Sequence, residues 1–328
     1  SNEKILIEQN SLSYIDAEAK GLPFNPLIPT EKIKGGRITF DVKKHISSVV
    51  SIISYSCGFE DKQTLRRIFR DAIRQSFQEN NIPIENDQEI DLDTQEFPSF
   101  PRVIEIIEGQ SGSNVDHLIS RLTEIDDDGI LENAKGSFKD LLHGKYLINL
   151  SKLSNDRSKK LAICLFLKFA ETYFTNLPVT NQCKHCIIID EAKRLQGFEV
   201  LDRYALECRK WGVSLLLSSQ TLTHFSNDII NNSSTKICHK ITTGTENKKM
   251  IDLLGSSNLE AQELLSKVDN FDAFEVLINS KNINLEPIYT LGLHHYLILE
   301  HLLKNGVMKI DQLNQIDGCD PPDSRKLR

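Results

Sequence analysis

The sequence predicts an α/β fold, a mostly parallel sheet with helices on both faces. Three observations carry that prediction. Ile187-Ile188-Ile189 and Val213–Leu217 are short apolar runs without polar alternation across the isoleucines, the pattern of parallel strands buried on both sides. Between the apolar stretch Tyr146–Leu150 and the Ile187 run lies one helix-length segment, so the order is strand, helix, strand, a unit that implies parallel pairing and a right-handed crossover. Both apolar runs stop on polar residues, Asp190-Glu191 in one case and Ser218-Ser219-Gln220 in the other. Open α/β sheets place their ligands at that edge.

The 328 residues allow two domains or one large one. Hydrophobic content of 39% and charged content of 26% are ordinary for a soluble globular chain. A formal net charge of −7 excludes a simple basic nucleic-acid coat and leaves room for a local basic patch or pore. The seven cysteines are scattered, apart from Cys183 and Cys186, which suits a reduced, cytoplasmic protein. No apolar run approaches the ~20 residues of a membrane span, and no signal peptide is expected. Ser1-Asn2 reads as a cleaved-tag scar, so the expectation is a fragment of a longer protein.

In order along the chain, Lys4–Glu8 is a short strand candidate, and residues 21–27 form a Pro-punctuated loop. Asp41–Cys57 has helical periodicity. Gly58-Phe59 breaks it, and Asp61 can cap a second helix from about Lys62 to Asn80. That helix carries Arg66, Arg70 and Arg74 at i, i+4 and i+8, with Arg67 beside them. They form a candidate stripe for tracking phosphates; the plain reading is a solvated face. Residues 85–97 are an acidic stretch whose spacing hints at a calcium loop. Counting from Asp87, Leu92 falls where the loop needs Gly and Pro98 where it needs Glu, so a mobile acidic surface loop is expected.

Two further helices, Phe100–Glu108 and Asn114–Ile125, lead through the Asp126–Gly129 turn to the strand at Tyr146 and a helix from about Lys159 to Phe174, capped by Asp156 or Ser158. After Glu191 come a helix from Glu199 to Trp211, ended by Gly212, and the Val213 strand. A strand at Thr235–Ile241, helices near 246–254 and 259–267, and paired strands at Phe271–Ile278 and Leu285–Thr290 follow. His294–Lys304 and Ile310–Ile316 resemble the front half of a helix-turn-helix. The expected division is a core of 1–40 with 136–292, a helical insertion at 41–135, and a helical tail at 293–328.

The chemistry gathers at the two strand ends. Two adjacent carboxylates suit a nucleotide site: Asp190 can hold Mg²⁺ through its water shell, and Glu191 can orient or deprotonate an attacking water. Gln220 can sense a γ-phosphate or position that water. Arg209, in Arg209-Lys210-Trp211-Gly212, can act as an arginine finger towards a neighbouring subunit's nucleotide, with Lys210 and Arg203 as reserves. The plain reading of Asp190-Glu191 is a strand capped by two solvated acids.

Residues 187–192, 209–213 and 217–220 resemble the Walker B, arginine and sensor segments of the HerA/FtsK superfamily of P-loop ATPases. Asn231–Ile237 resembles that family's "N…TKI" stretch, Pro23–Leu27 its "NPL" loop, and Tyr146–Ser151 its "DLS" strand, with Asn149 where Asp is common. The resemblance covers roughly residues 20–290. It implies a RecA-like fold, ATP and Mg²⁺ as cofactors, and a hexameric translocase or helicase acting on double-stranded DNA, with other DNA-processing or defence subunits as partners. It assigns Asp190 to Mg²⁺, Glu191 to the base and Gln220 to the sensor. A narrower likeness is to the phosphorothioation-dependent restriction ATPases.

The sequence departs from the family in lacking Gly-x-x-x-x-Gly-Lys-Ser/Thr, whose backbone N–H groups and Lys wrap the phosphates. Its one Gly-Lys pair, Gly144-Lys145, is followed by Tyr146. The expectation is a chain that lacks the first P-loop strand and helix and binds ATP little or not at all on its own. Two other readings stay open. One is an assembly or docking module without its own ATPase activity. The other is a metal-dependent nuclease using Glu191-Ala192-Lys193 with Asp156. Cys183-Lys184-His185-Cys186 could be half of a zinc site, with no second ligand pair in the sequence.

Overall fold

The computed structural model describes residues 12–34, 37–92, 94–180, 182–239, 275–280 and 283–289. Expectations for Lys4–Glu8, the helices near 246–254 and 259–267, and the tail at 293–328 lie outside them.

The chain divides into two compact units. The first runs to Ile188 and takes in Gly197–Leu216; the second takes Ile189–Gln196 and the chain from Leu217. In the first unit, strand β1 (Ser13–Asp16) leads into a short helix, α1 (Ala17–Lys20). Gly21 follows at φ 71°, and a Cβ there would meet Asn133 at 2.8 Å, so only glycine fits. The Pro-rich loop after it is an anchor. Phe24 and Leu27 are buried, the Asn25 side chain accepts from the Leu27 N–H (2.9 Å), and Phe24 packs against Phe138 and Phe169 at 5.1 Å between ring centres. β2 (Lys32–Lys34) and β3 (Arg37–Thr39) form an antiparallel hairpin.

Helices α2 (Val42–Ser56) and α3 (Gln63–Glu79) follow the expected periodicity. Each buries one stripe: Val42, Ile46, Val49, Val50 and Ile53 on α2, and Leu65, Phe69, Ala72, Ile73 and Phe77 on α3. Asp61 does not cap α3. Lys62 occupies the cap and makes no side-chain cap bond. The acidic stretch is tied down over its first half: Gln88 exchanges two backbone hydrogen bonds with Phe40, Lys32 bridges Asp41 (2.9 Å) and Asp87 (3.4 Å), and Arg37 reaches Glu89 (3.3 Å). Basic residues of the hairpin answer its charge, a match that no local pattern records.

α4 (Phe100–Glu108) is capped by Ser99, and α5 (Ser113–Asp126) ends in a turn where Asp126 accepts from the Leu131 and Glu132 N–H groups. Strand β4 (Tyr146–Asn149) pairs in parallel with β1. α6 (Asp156–Phe174) is capped by Asn155, whose side chain accepts from the Arg157 N–H (2.8 Å); neither Asp156 nor Ser158 takes that place. α2 packs on α3 and on α6, and α3 packs on α4 and α5.

β5 (His185–Ile189), α7 (Glu199–Glu207) and β6 (Val213–Leu217) complete the crossover. β5 and β6 are hydrogen-bonded neighbours. The Gly212 carbonyl accepts from the His185 N–H at one end (3.1 Å), and the Ser218 N–H donates to the Ile189 carbonyl at the other (3.0 Å), so the two run the same way. Two expectations change here. β4 is laddered to β1 and β5 to β6, so the strand–helix–strand unit does not pair its own strands directly. β5 is also not buried on both faces: Ile187 and Ile189 are 8% and 6% exposed, but Ile188 is 60% exposed. Successive side chains of a strand point to opposite faces, and packing covers one of them.

In the second unit, α8 (Asn227–Asn232) is capped by Ser226. β7 (Thr235–His239), β8 (Glu275–Ser280) and β9 (Ile283–Tyr289) form an antiparallel sheet in the order β7-β8-β9. Among the described residues, no helix is long and apolar enough to cross a membrane.

Candidate nucleotide-chemistry site

The strand end at Asp190 is built from two directions. Along the chain, Glu191 adopts the left-handed conformation (φ 52°, ψ 47°), which a side-chain-bearing residue holds at a cost of roughly 1–3 kcal/mol. That turn lets the Glu191 N–H donate to Asp190 Oδ1 (3.0 Å) and starts a short 3₁₀ turn, Ala192–Leu195. Across the sheet, the Ser218 hydroxyl donates to the same Asp190 Oδ1, and the Ala192 N–H donates to the Ser218 carbonyl (2.8 Å). Asp190 is thus clamped through Oδ1.

Glu191 is held by its own turn. Arg194 Nη2 lies 2.8 Å from Glu191 Oε2, an i, i+3 ion pair. Sequence reasoning quoted Ser218 only as part of a motif and passed over Arg194; the i, i+3 spacing was the signal for the second. Gln220 is exposed, two residues beyond the serine that clamps Asp190. Between them the Ser219 hydroxyl bonds His224 Nδ1 (2.7 Å). Asp190, Glu191, Ser218 and Gln220 all belong to the second unit.

The three basic candidates differ in their commitments, all within the first unit. Arg203 Nε lies 2.6 Å from Glu171 Oε1, and Glu171 also takes Lys168. Burial pushes the Glu171 carboxyl up, and the hydrogen bonds from Arg203 and Lys168 outweigh it, holding it below the usual glutamate range. Lys210 pairs with Glu207 (2.6 Å) and lies over the Trp211 ring at 4.7 Å. Arg209 is exposed and, among the described residues, its side chain makes neither an ion pair nor a hydrogen bond. Gly212, which ends this segment, has φ 71°, and a Cβ there would run into the Gln182 carbonyl.

Mg²⁺ keeps several waters and takes one or two carboxylates with substrate phosphates. Asp190 beside a hydroxyl fits that donor set. A phosphate-wrapping Gly-x-x-x-x-Gly-Lys-Ser/Thr loop does not occur in these 328 residues. Among the described residues, no group of three or more His, Cys, Asp or Glu is placed to hold a metal by itself. Asp156, the acid a nuclease reading draws from an earlier strand, sits in the first turn of α6. Arg66, Arg70 and Arg74 lie on α3, in the first unit.

No protein-family model and no curated protein matches the chain. Solved structures do. VirB4 of Thermoanaerobacter pseudethanolicus superposes with a TM-score of 0.63 at 15% identity, over 89% of this chain and 79% of that one. The bacterial conjugative coupling protein TrwB, in an unbound form lacking its N-terminal segment, gives 0.52 at 10% identity, over 87% and 80%. The plasmid coupling protein TrwB in complex with the non-hydrolysable GTP analogue GDPNP gives 0.50 at 11%, over 87% and 80%. The RecA-like α/β architecture expected from the motifs is therefore the one found, and the chain has the fold of VirB4 and TrwB.

Proposed function

We propose that this chain is the catalytic half of an ATP-driven motor that moves double-stranded DNA. The observation that carries the reading is the clamped acid at the strand end: Asp190 held through Oδ1 by Ser218, next to a glutamate in a strained left-handed turn. Asp190 would hold Mg²⁺ through its waters, and Mg²⁺ would neutralise charge on the phosphates. Glu191 orients and deprotonates the attacking water; to do so its carboxylate leaves Arg194. Gln220 is the sensor. Arg209 is the arginine finger, and the commitments of Arg203 and Lys210 favour it over either reserve.

The HerA/FtsK resemblance supplies ATP, DNA and a hexameric assembly, and the shared fold with a coupling protein that binds a GTP analogue supports nucleotide chemistry. Restriction or defence in the cytoplasm is the narrower setting we propose. A docking module with no hydrolysis of its own is the competing reading. The test is DNA-stimulated ATP hydrolysis by the native gene product. Replacing Glu191 by Gln should cut turnover by about 10²–10⁴-fold, the usual weight of a general base. Hydrolysis untouched by Glu191→Gln would favour the docking module.

A further inference from the structure

Helix α3 carries a face of arginines that make no ion pair among the described residues. Arg66, Arg70 and Arg74 recur every four residues. At 1.5 Å per residue their side chains leave one face about 6 Å apart and span about 12 Å. Among the described residues, neither Arg70 nor Arg74 makes a hydrogen bond or ion pair from its side chain. Arg66 makes one hydrogen bond, from Nη1 to the Glu60 carbonyl (3.2 Å). The Nε–H of all three is shielded from solvent and unpaired.

Acids are not scarce: the chain has 46 against 39 lysines and arginines. Yet, among the described residues, none pairs with this row. Asp71, on the same helix, makes no ion pair, and Glu79 at its end is taken by Arg102 (2.8 Å). Lys43, Gln78 and Asn86 border the groove beside Arg74, with Glu85 the acid among them; Gln63, Thr64 and Arg67 border the groove beside Arg66 and Arg70. Like charges at i, i+4 cost a few tenths of a kcal/mol per pair, and shielded donors without acceptors cost more. A polyanion from outside the chain, meeting the terminal guanidinium nitrogens, would offset the repulsion.

The face also favours a duplex over an unpaired strand. The aromatic rings of α3, Phe69 and Phe77, are fully buried, so it offers no platform on which an unpaired base could stack. It offers a straight row of guanidinium donors. One strand of a duplex carries a phosphate every 3.4 Å along the axis, so the row spans about three or four phosphates. The geometry points to this face as a seat for the phosphate backbone of double-stranded DNA, bound without regard to sequence. The seat rests on the motor reading only for the choice of DNA as the polyanion.

The experiment is fluorescence anisotropy of a labelled mixed-sequence duplex with the full chain, without nucleotide, over a range of salt concentrations. Each phosphate contact contributes about −0.9 to the slope of log K against log salt. The combined variant Arg66→Ala, Arg70→Ala, Arg74→Ala should bind more loosely, with the slope flattened by about 2 to 3. Lysine at all three positions should retain most of the slope, and far-ultraviolet circular dichroism should show the helices intact. An unchanged slope in the alanine variant, tighter binding of single-stranded DNA, or no duplex binding by the intact chain overturns the seat. If any of these occurs while hydrolysis by the native gene product still collapses in Glu191→Gln, the motor survives and the seat does not. If the seat holds and hydrolysis ignores Glu191→Gln, the reverse is true.

Discussion

Arg203 and Arg70 sit on helices of the same unit and carry the same charge, in opposite circumstances. Arg203 meets Glu171, a carboxylate only 7% exposed that Lys168 also serves. Arg70 stands one turn from both Arg66 and Arg74 and, among the described residues, makes no hydrogen bond or ion pair. The first is a charge the fold needs. The second is a charge the fold tolerates, and tolerated charge in a regular row is where a partner from outside is to be sought.

The contrast can be broken most easily at Arg203. Arg203→Ala strands a nearly buried carboxylate with one remaining partner. Stranding a fully buried charge costs 3–5 kcal/mol; because the Arg203 side chain is itself 42% exposed and Lys168 stays, the loss expected here is about 2 kcal/mol in urea unfolding. A loss no larger than that of an ordinary surface substitution would dissolve the distinction.

Acid should act on the partnered region. The His45 ring donates from Nε2 to the Pro26 carbonyl (3.1 Å) and packs edge-on to Phe169, and burial pushes its pKa down to about 4. The unfolded chain, near 6.5, takes up that proton first, so stability is lost as pH falls from about 6.5 to 4. The full shift corresponds to about 3 kcal/mol; the ring keeps some access to solvent, so the expected loss is about 2 kcal/mol. Glu171, held below its ordinary value, adds a further loss as pH falls below about 4.5, and Glu171→Gln should remove that part. Asp126, raised by burial to about 6, moves the other way, so the test is chemical denaturation of the wild type against His45→Phe at several pH values; a difference between the two that does not change from pH 7 to 4 contradicts it.

The smallest effect is at Arg70. Among the described residues Arg70→Ala deletes no hydrogen bond or ion pair, and it relieves repulsion from two neighbours, which sets against the lost packing of its stem, so the thermal midpoint should stay nearly level, with a change within about 0.5 kcal/mol. A clear fall would reveal a partner for Arg70.

Much of the fold was legible because it is written locally. The stripes of α2 and α3, the glycine that ends the segment before β6, and the acids at the end of β5 follow from periodicity, left-handed backbone and strand length. β1 and the β2–β3 hairpin were missed because strands of three or four half-polar residues carry no distinctive pattern. The cap of α3 was misplaced by one residue, and no side-chain bond rewards either choice. The exposed face at Ile188 was misread because an unbroken apolar run looks the same whether one face is covered or two.

By itself, then, the sequence determined which segments become helices and strands, and that two of those strands end in polar chemistry; nearest-neighbour geometry suffices for that. Only the tertiary structure decided which charges are spoken for. Ser218 lies 28 residues from the Asp190 it clamps, and Arg203 lies 32 residues from Glu171. Bonds of that span are set by how strands and helices are brought side by side, and no local pattern encodes them.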